Sequence, residues 1–306
     1  MNNLPLITIA ICTYNRADYL RDTLADLRNQ TVLDDRTEII VINNNSDDHT
    51  NKVCDDFDKR NPNIQFRAIK EGNQGLSYAR NRAVEESDGD AILYIDDDVI
   101  LPDNFVETLH QYSATQNTVK ASGGKIHVSF DGDDPDWIPK QLMPMFGHHD
   151  LGKKDCRYPA SNFPRGGNMF IRKEVFQKYG LFDTSLGRIG KSLLGSEEKA
   201  FFDRLKQNGE ELMYWGDLKL WHRIGDERLS EEYLKKQSVG IGASERLRVK
   251  SSVIRTSGKL MSELVKMCGS LVLSSLQLLN GNNKAALFLL KFRIWVLSGF
   301  LNPEGN

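Results

Sequence analysis

The sequence has few cysteines and no arrangement that would use them. Its four cysteines, Cys12, Cys54, Cys156 and Cys268, lie far apart and form no C-x-x-C pair. We therefore expect neither a disulfide framework nor a zinc site, and a reducing cytosol fits this pattern best. The first five residues also lack the basic start and apolar core of a signal peptide, which predicts a cytoplasmic protein.

The chain also lacks an excess of positive charge and two common nucleotide-binding motifs. Its formal net charge is −2, with Lys and Arg scattered along it, so no nucleic-acid partner is expected. No G-x-x-x-x-G-K-[ST] loop occurs, and no G-x-G-x-x-G follows the first predicted strand. These absences argue against an ATP-type P-loop and against a dinucleotide-dependent oxidoreductase.

Hydrophobic runs separated by helical patterns make up the first hundred residues. The runs with strand character are Ile7–Cys12, Glu38–Ile42, Ile64–Ile69 and Ala91–Ile95. Apolar residues at helical spacing, such as Leu20, Leu24 and Leu27, lie between them. This alternation predicts an α/β fold with a mostly parallel sheet flanked by helices.

An acidic turn ends the fourth of these runs, where Ile95 is followed by Asp96, Asp97 and Asp98. Burying like charges is costly unless a cation or hydrogen-bond donors compensate them, and open α/β sheets bind ligands at their strand ends. The turn is therefore either a divalent-metal site or a plain acidic turn that starts the next loop. Taken alone, it does not distinguish the two.

Three other polar segments follow the ends of the first three predicted strands. They are Thr13–Arg16, Asn43–Asp48 and Gly72–Gly75, and Arg80 follows the last of them. In a parallel sheet these segments and the acidic turn meet along one edge. An aromatic ring, amides, a guanidinium and carboxylates together suit a nucleoside diphosphate and a metal ion.

The pattern becomes irregular after the acidic turn and helical towards the end. Asp131–Pro164 holds five of the nine prolines and reads as a long binding loop or lid. Leu260–Leu279 and Ala285–Leu301 are helical stretches that basic residues interrupt, so neither is a clean membrane span. Residues 260–301 fit a hairpin that contacts a membrane surface, or else a dimer interface or C-terminal core. We predict a domain at 1–225, with halves 1–100 and 101–225, and a helical region at 226–306.

Several motifs in order resemble the family 2 inverting glycosyltransferases of the GT-A fold. They are TYNR, NNNSDD, GLSYARN, YIDDDV, GGNMFIRK, GSEEKAFFDRL and LWH, and they span roughly residues 6 to 224. The resemblance implies a nucleotide-sugar donor, a glycan or lipid-linked acceptor, and Mn²⁺ or Mg²⁺ as cofactor. The helical tail lies outside it.

The resemblance also implies roles for individual residues. Asp98 and His222 match metal ligands, although His222 is alternatively a packed histidine beside Trp221. Asp97 is either a donor contact or a solvated carboxylate. The full set of implied donor contacts is Thr13, Tyr14, Asn15, Arg16, Asn43, Asn45, Arg80, Asp96 and Asp97. The resemblance favours UDP-sugars. Because Asn43 stands where the family commonly has Asp, and an amide can donate as well as accept, GDP- and dTDP-sugars stay open.

The acidic pair Glu197–Glu198 stands where family members usually carry Glu-Asp. An inverting transfer needs a base for the acceptor hydroxyl, and we predict Glu198, which occupies the Asp position. Glu197 is kept in reserve because one extra methylene moves the carboxylate. The predicted acceptor contacts are Trp137, Arg165, Gly166, Gly167 and Asn168, with Trp137 either stacked on a sugar or half-buried in the fold.

The sequence thus predicts a metal-dependent glycosyltransferase of surface polysaccharide or glycolipid synthesis. We expect it on the cytoplasmic side, peripheral to the inner face of the plasma membrane, with a homo-oligomer as an open option. A sugar nucleotidyltransferase is the second hypothesis, but Thr13–Arg16 lacks the Gly-rich signature of that class. A non-catalytic sugar-binding module is the third; it would have lost a base or a metal ligand, and the chain retains both.

Overall fold

A computed structural model describes residues 6–187 and 197–303, which form two compact units. The first unit comprises residues 6–129 and 197–223 together with Gly147–Ser185. The second comprises Phe130–Phe146, residues 186–187 and residues 224–303. The predicted boundary near residue 225 stays a prediction, and part of the Pro-rich loop belongs to the second unit.

Strands and helices alternate regularly in the first hundred residues. The elements are β1 (Ile7–Thr13), α1 (Ala17–Arg28), β2 (Thr37–Asn43), α2 (Thr50–Arg60), β3 (Gln65–Lys70), α3 (Leu76–Glu86) and β4 (Ala91–Ile95). β1 pairs in parallel with both β2 and β4, and β2 pairs in parallel with β3. The carboxyl ends of these four strands therefore lie at one edge of the sheet.

The rest of the first unit extends the same sheet with antiparallel strands. The elements are β5 (Val99–Ile100), α4 (Phe105–Thr115), β6 (Ala121–Phe130), β7 (Cys156–Arg157), β8 (Asn168–Arg172), α5 (Lys173–Tyr179), α6 (Glu197–Gln207) and β9 (Leu212–Ile224). The strand order is β3-β2-β1-β4-β8-β6-β9-β5, with β7 paired to β9. The α/β prediction is confirmed. The strands β1–β4 pair in parallel, whereas β8 pairs antiparallel with β4 and β6, and β9 pairs antiparallel with β5 and β7.

Apolar side chains cover both faces of the sheet. Ile9 and Ile11 on β1 belong to one buried cluster together with Leu20 and Leu24 of α1. Ala10, between those two isoleucines, belongs to a second cluster, which includes residues of α3 and α6. Neighbouring residues of a strand point to opposite faces, so a run that is apolar throughout indicates a sheet buried on both sides.

The second unit is helical. It contains 3₁₀ turns at Lys140–Phe146 and Asp226–Leu229, followed by α7 (Glu231–Val249), α8 (Val253–Leu279) and α9 (Asn283–Leu301). A Cβ on Gly242 would lie 1.9 Å from the carbonyl oxygen of Val296, and one on Gly299 would lie 2.0 Å from that of Val239. The two glycines thus let the backbones of α7 and α9 touch. Among the described helices, none is long and apolar enough to cross a membrane.

Candidate active site

Hydrogen bonds join the four polar segments at the strand ends. Thr13 Oγ1 donates to Asp97 Oδ2 at 2.6 Å, which links the end of β1 to the acidic turn. The amide of Asn15 donates to Ser46 Oγ at 3.0 Å, and the amide of Asp47 donates to Asn15 Oδ1 at 2.8 Å. The edge predicted from the strand pattern is therefore one connected surface.

Asn44 connects the second and third segments, and the sequence interpretation did not single it out. It is buried, and its Oδ1 accepts from the amide of Gly75 at 2.7 Å. Its Nδ2 donates to the carbonyl oxygen of Asn73 at 2.7 Å. The run of Asn residues marked a turn, but no sequence signal indicated that this Asn turns inwards to hold the loop before α3.

Several of the predicted donor contacts lie in the turns that follow β1 and β2. Tyr14 is 36% exposed, and Asn15 and Asn45 have left-handed φ angles of 54° and 65°. Asn43 is buried; its Oδ1 accepts from the amide of Ser46 at 2.9 Å, and its Nδ2 donates to Asn51 at 2.7 Å. The amide of Asn43 therefore shapes the turn beside Tyr14.

Asp96, Asp98 and His222 form a compact group at the end of β4. One ligand atom from each lies within 4.8 Å of the others. The pairing of β5 with β9 brings His222 opposite Val99, directly beside the acidic turn. His222 Nε2 lies 3.2 Å from Asp98 Oδ2. Gly147, with φ of 90°, leaves room for the ring, because a Cβ there would lie 2.8 Å from His222 Nδ1.

Asp97 is not a solvated carboxylate, which corrects one of the two interpretations of this residue. It is 5% exposed, accepts from Thr13, and has Arg16 Nε 3.4 Å from its Oδ1. Burial raises the pKa of Asp97 to about 6, although the positive charge of Arg16 and the Thr13 hydrogen bond act against this rise.

The acidic turn brings several carboxylates together in a largely buried part of the protein. Burial raises the pKa of Asp96, and the neighbouring charge of Asp98 adds to the rise. Arg16 Nη2 lies 2.6 Å from Asp98 Oδ2, and the charges of Asp97 and Asp98 raise the Arg16 pKa against the effect of burial. Two carboxylates and an imidazole at this spacing fit a divalent cation, which would relieve the remaining repulsion.

Arg80 holds both members of the acidic pair. Its Nη1 donates to Glu197 Oε1 at 2.7 Å, and its Nη2 donates to Glu198 Oε1 at 2.8 Å. Arg80 and Glu197 are almost fully buried, while the side chain of Glu198 is 22% exposed. Its predicted contact with the nucleotide stays a prediction; its guanidinium lies on the carboxylates at the start of α6.

Two glycines before β8, Gly166 and Gly167, lie directly against these charged groups. A Cβ on Gly166 would lie 2.0 Å from Arg80 Nη2 and 2.1 Å from Glu198 Oε1. A Cβ on Gly167 would lie 2.7 Å from Asp96 Oδ2. The backbone of these glycines therefore joins the acidic pair to the acidic turn, in a space that no side chain could share.

The other predicted acceptor residues are placed differently. Asn168 is fully buried, and its Nδ2 donates to the carbonyl oxygens of Lys125 and Leu218, so its amide supports the sheet. Arg165 is half-buried, with its guanidinium 4.2 Å from the centre of the Phe163 ring. Trp137 belongs to the second unit, where its half-buried ring packs edge-on to Phe288 with 5.3 Å between centroids.

Known glycosyltransferases are similar in sequence to most of the chain. The model of the family described as Glycosyl transferase family 2 matches residues 8–180. The chain is 24% identical over 244 residues to a glucosyl-dolichyl phosphate glucuronosyltransferase of Haloferax volcanii, covering 79% of this chain and 76% of that protein. It is 32% identical over 203 residues to the glycosyltransferase GlyA of Streptococcus pneumoniae, covering 66% of this chain and 27% of that protein.

Solved structures share the fold at low sequence identity. The mannosyltransferase PcManGT from Pyrobaculum calidifontis, in complex with GDP-Man and Mn²⁺, has a TM-score of 0.63 and 13% identity, over 97% of this chain and 88% of its own. GalNAc-T7 with UDP, GalNAc and Mn²⁺ has a TM-score of 0.57 and 19% identity, over 82% of this chain and 52% of its own. The predicted GT-A fold is confirmed.

Proposed function

The chain belongs to glycosyl transferase family 2, and we propose that it moves a sugar from a nucleoside diphosphate to an acceptor hydroxyl with inversion at the anomeric carbon. The observation that carries this proposal is the Arg80 bridge to Glu197 and Glu198 beside the acidic turn. It holds candidate bases next to a group of carboxylates that suits a metal and a diphosphate. A binding module has no need of such an arrangement.

The donor occupies the edge formed by the ends of β1, β2 and β4 in this proposal. Tyr14, exposed between Thr13 and Asn15, stacks on the nucleobase, with Asn43 and Asn45 on the neighbouring turn. Asp96 contacts the ribose in this proposal. Arg16, whose Nη2 lies 2.6 Å from Asp98 Oδ2, would be available to a phosphate oxygen if Asp98 held a metal ion. Asp97 stays a positioning residue that fixes Thr13 and Arg16.

Asp98 and His222, with Asp96 beside them, would hold the divalent ion. Mn²⁺ or Mg²⁺ bound there would neutralise the diphosphate leaving group as charge builds on it. Two of the structural neighbours were solved with Mn²⁺, which supports the choice of a divalent ion for this chain.

Glu198 is the base in this proposal because its carboxylate is partly exposed, whereas that of Glu197 is almost fully buried. The acceptor oxygen attacks the anomeric carbon, the bond from that carbon to the diphosphate oxygen breaks, and the hydroxyl proton passes to Glu198. An α-linked donor then gives a β-linked product. Arg80 acts as a positioning residue that fixes the direction of the carboxylate.

The finer identity of donor and acceptor rests on less direct support. We propose a UDP-sugar, with GDP- and dTDP-sugars as the tested alternatives, and a glycan or lipid-linked acceptor near Arg165, Gly166 and Gly167. One relative is named for a glucosyl-dolichyl phosphate acceptor, which supports a lipid-linked acceptor here. We also propose a role in surface polysaccharide or glycolipid synthesis, peripheral to the inner face of the plasma membrane, which the family resemblance and the helical tail support.

The test is a screen for nucleotide-sugar hydrolysis and transfer by the purified chain. UDP-, GDP- and dTDP-sugars are incubated with Mn²⁺ or Mg²⁺, with and without lipid-phosphate and oligosaccharide acceptors, and the released nucleoside diphosphate is measured. We expect release from one donor class, abolished by EDTA and by Asp98→Asn but retained in Asp217→Asn, an exposed carboxylate elsewhere on β9. No turnover and no metal-dependent nucleotide binding with any donor would overturn the proposal.

A further inference from the structure

Helix α8 presents its apolar side to solvent and its polar side to the protein. Ile254, Met261, Val265, Val272, Leu276 and Leu279 recur at spacings of three, four and seven residues, and each is half or more exposed. Such spacings place them along one face of the helix. The opposite face carries Glu263, Ser270 and Ser274, all of which are buried. This is the reverse of the usual arrangement in a surface helix.

Polar contacts fix α8 in this orientation. Glu263 is 6% exposed, and Arg293 Nη1 of α9 lies 3.8 Å from its Oε2. Lys259 Nζ of α8 lies 2.8 Å from Glu245 Oε2 of α7. Arg293 Nε of α9 donates to Ser270 Oγ at 3.1 Å. Rotating the helix to hide its apolar face would bury that face only by breaking these contacts. The exposed stripe is therefore a consequence of specific pairing.

Helix α9 also carries an exposed apolar stripe. Leu287, Ile294 and Leu301 are separated by seven residues each, so they lie on one side of the helix, and all are more than half exposed. The side chain of Ser274 on α8 donates to the carbonyl oxygen of Ala286 on α9 at 2.9 Å. The two helices are thus held side by side, each with an apolar stripe left uncovered by the described residues.

Charge identifies the kind of surface that these stripes fit. Together α8 and α9 contain six Lys and Arg residues and a single acidic residue, the buried Glu263, whereas the whole chain has a net charge of −2. Arg255 and Lys284 are exposed. Lys266 is also exposed, and its Nζ lies 2.6 Å from Glu263 Oε1. A second copy would bring an equally basic surface against this one, so like charges oppose self-association. Anionic lipid headgroups complement it instead.

We propose that α8 and α9 lie flat in the interface of an anionic lipid bilayer, with their apolar stripes among the acyl chains and their basic residues at the headgroups. At 27 residues, α8 is about 40 Å long, and no described helix suits a membrane span. Apolar burial together with attraction to acidic lipids is the known basis of such binding. This inference deepens the peripheral membrane location given under the proposed function by naming the helices and the lipid charge, and its test does not depend on sugar transfer.

The test is co-sedimentation of the full chain with phosphatidylcholine vesicles, with and without 30% phosphatidylglycerol (roughly the range in which surface potential matters). We expect binding to the anionic vesicles alone, weakened by salt. Val265→Glu/Val272→Glu should reduce the partition coefficient about tenfold or more. The matched control Gln111→Glu/Thr115→Glu adds two charges to exposed positions of α4 and should bind as the parent does.

Three results would overturn the proposal. The first is an absence of vesicle binding, and the second is vesicle binding that Val265→Glu/Val272→Glu leaves unchanged. The third is a concentration-dependent dimer in sedimentation velocity that Val265→Glu/Val272→Glu dissociates, for a chain that does not bind vesicles. The last outcome would assign the stripes to a second copy of the chain. Val265→Ser/Val272→Ser removes the apolar groups without adding charge, and should weaken binding less than the Glu pair. Thermal unfolding of every variant checks that the fold is retained.

Discussion

The guanidinium of Arg16 lies 2.6 Å from Asp98 Oδ2, the same oxygen that lies 3.2 Å from His222 Nε2. A positive side chain therefore stands within the group of residues that suits a metal ion. Any divalent ion held by Asp98 and His222 would be close to Arg16, and like charges at such distances repel by several kcal/mol at an effective dielectric constant of about 20. Metal affinity and the position of Arg16 are thus linked.

Replacing Arg16 with Gln should tighten metal binding in the absence of nucleotide. The repulsion and the competition for Asp98 are both removed, and we expect about a tenfold lower Kd for Mn²⁺, measured by calorimetry at pH 8. The control is Arg21→Gln, since Arg21 is exposed on α1 and pairs with Asp18. Equal or weaker Mn²⁺ binding by Arg16→Gln would mean that Arg16 does not oppose the metal.

Replacing Arg80 with Lys should lower kcat more than it changes the donor KM. Lys keeps the charge, but it cannot span both carboxylates with two separate N–H groups as the guanidinium does. We expect kcat to fall about 100-fold, because small misplacements of a catalytic group cost that much. A raised donor KM with unchanged kcat would instead support the role that the family resemblance implied, a contact with the nucleotide. Arg82→Lys, on the outer side of α3, is the matched control.

Glu198→Gln and Glu197→Gln should separate the two carboxylates. If Glu198 takes the proton, Glu198→Gln lowers kcat by roughly 10³-fold while nucleotide affinity is kept. Glu197 is buried against Arg80, so Glu197→Gln should mainly lower the thermal unfolding temperature and reduce kcat less. The reverse ranking in steady-state kinetics would assign the base to Glu197.

The second unit should lose stability as the pH falls towards 4. Burial would raise the pKa of Glu245, but hydrogen bonds from Arg248 at 2.7 Å and Lys259 outweigh burial and lower it. A pKa that folding lowers stabilises the fold above the unfolded-state value, and this stabilisation is lost as protonation proceeds. Glu245→Gln should therefore lower the unfolding free energy by about 1–2 kcal/mol at pH 7. The difference should shrink at pH 4; a constant difference across that range would contradict the assignment.

Much of the sheet was predictable because its strands are apolar on both faces and end in polar turns. Ala91–Ile95 was predicted at its observed bounds. Asp98 and His222, the predicted metal ligands, lie together with Asp96, which was predicted as a donor contact. Parallel strands make this possible, since their carboxyl ends must meet at one edge.

Other features have no local signal. The bridge from Arg80 to Glu197 joins residues 117 positions apart. From the sequence alone, Arg80 could equally be interpreted as a phosphate ligand. Helix α7 lies within the region predicted to be helical, but its bounds were not predicted. Several of its buried residues are small, such as Gly240, Gly242 and Ala243, so no stripe of large apolar residues marks it. The inverted orientation of α8 depends on Glu263 and Arg293 meeting in three dimensions, which the helical periodicity alone could not reveal.

The most direct measurement is a calorimetric titration of nucleoside diphosphate into the parent chain, Asp98→Asn and Glu198→Gln, with and without Mn²⁺, alongside transfer assays of the same proteins. The account predicts metal-dependent binding by the parent and by Glu198→Gln, no binding by Asp98→Asn, and loss of transfer in both variants. Nucleotide binding that does not depend on Mn²⁺ and is retained by Asp98→Asn would contradict this account, and so would full transfer activity of Glu198→Gln.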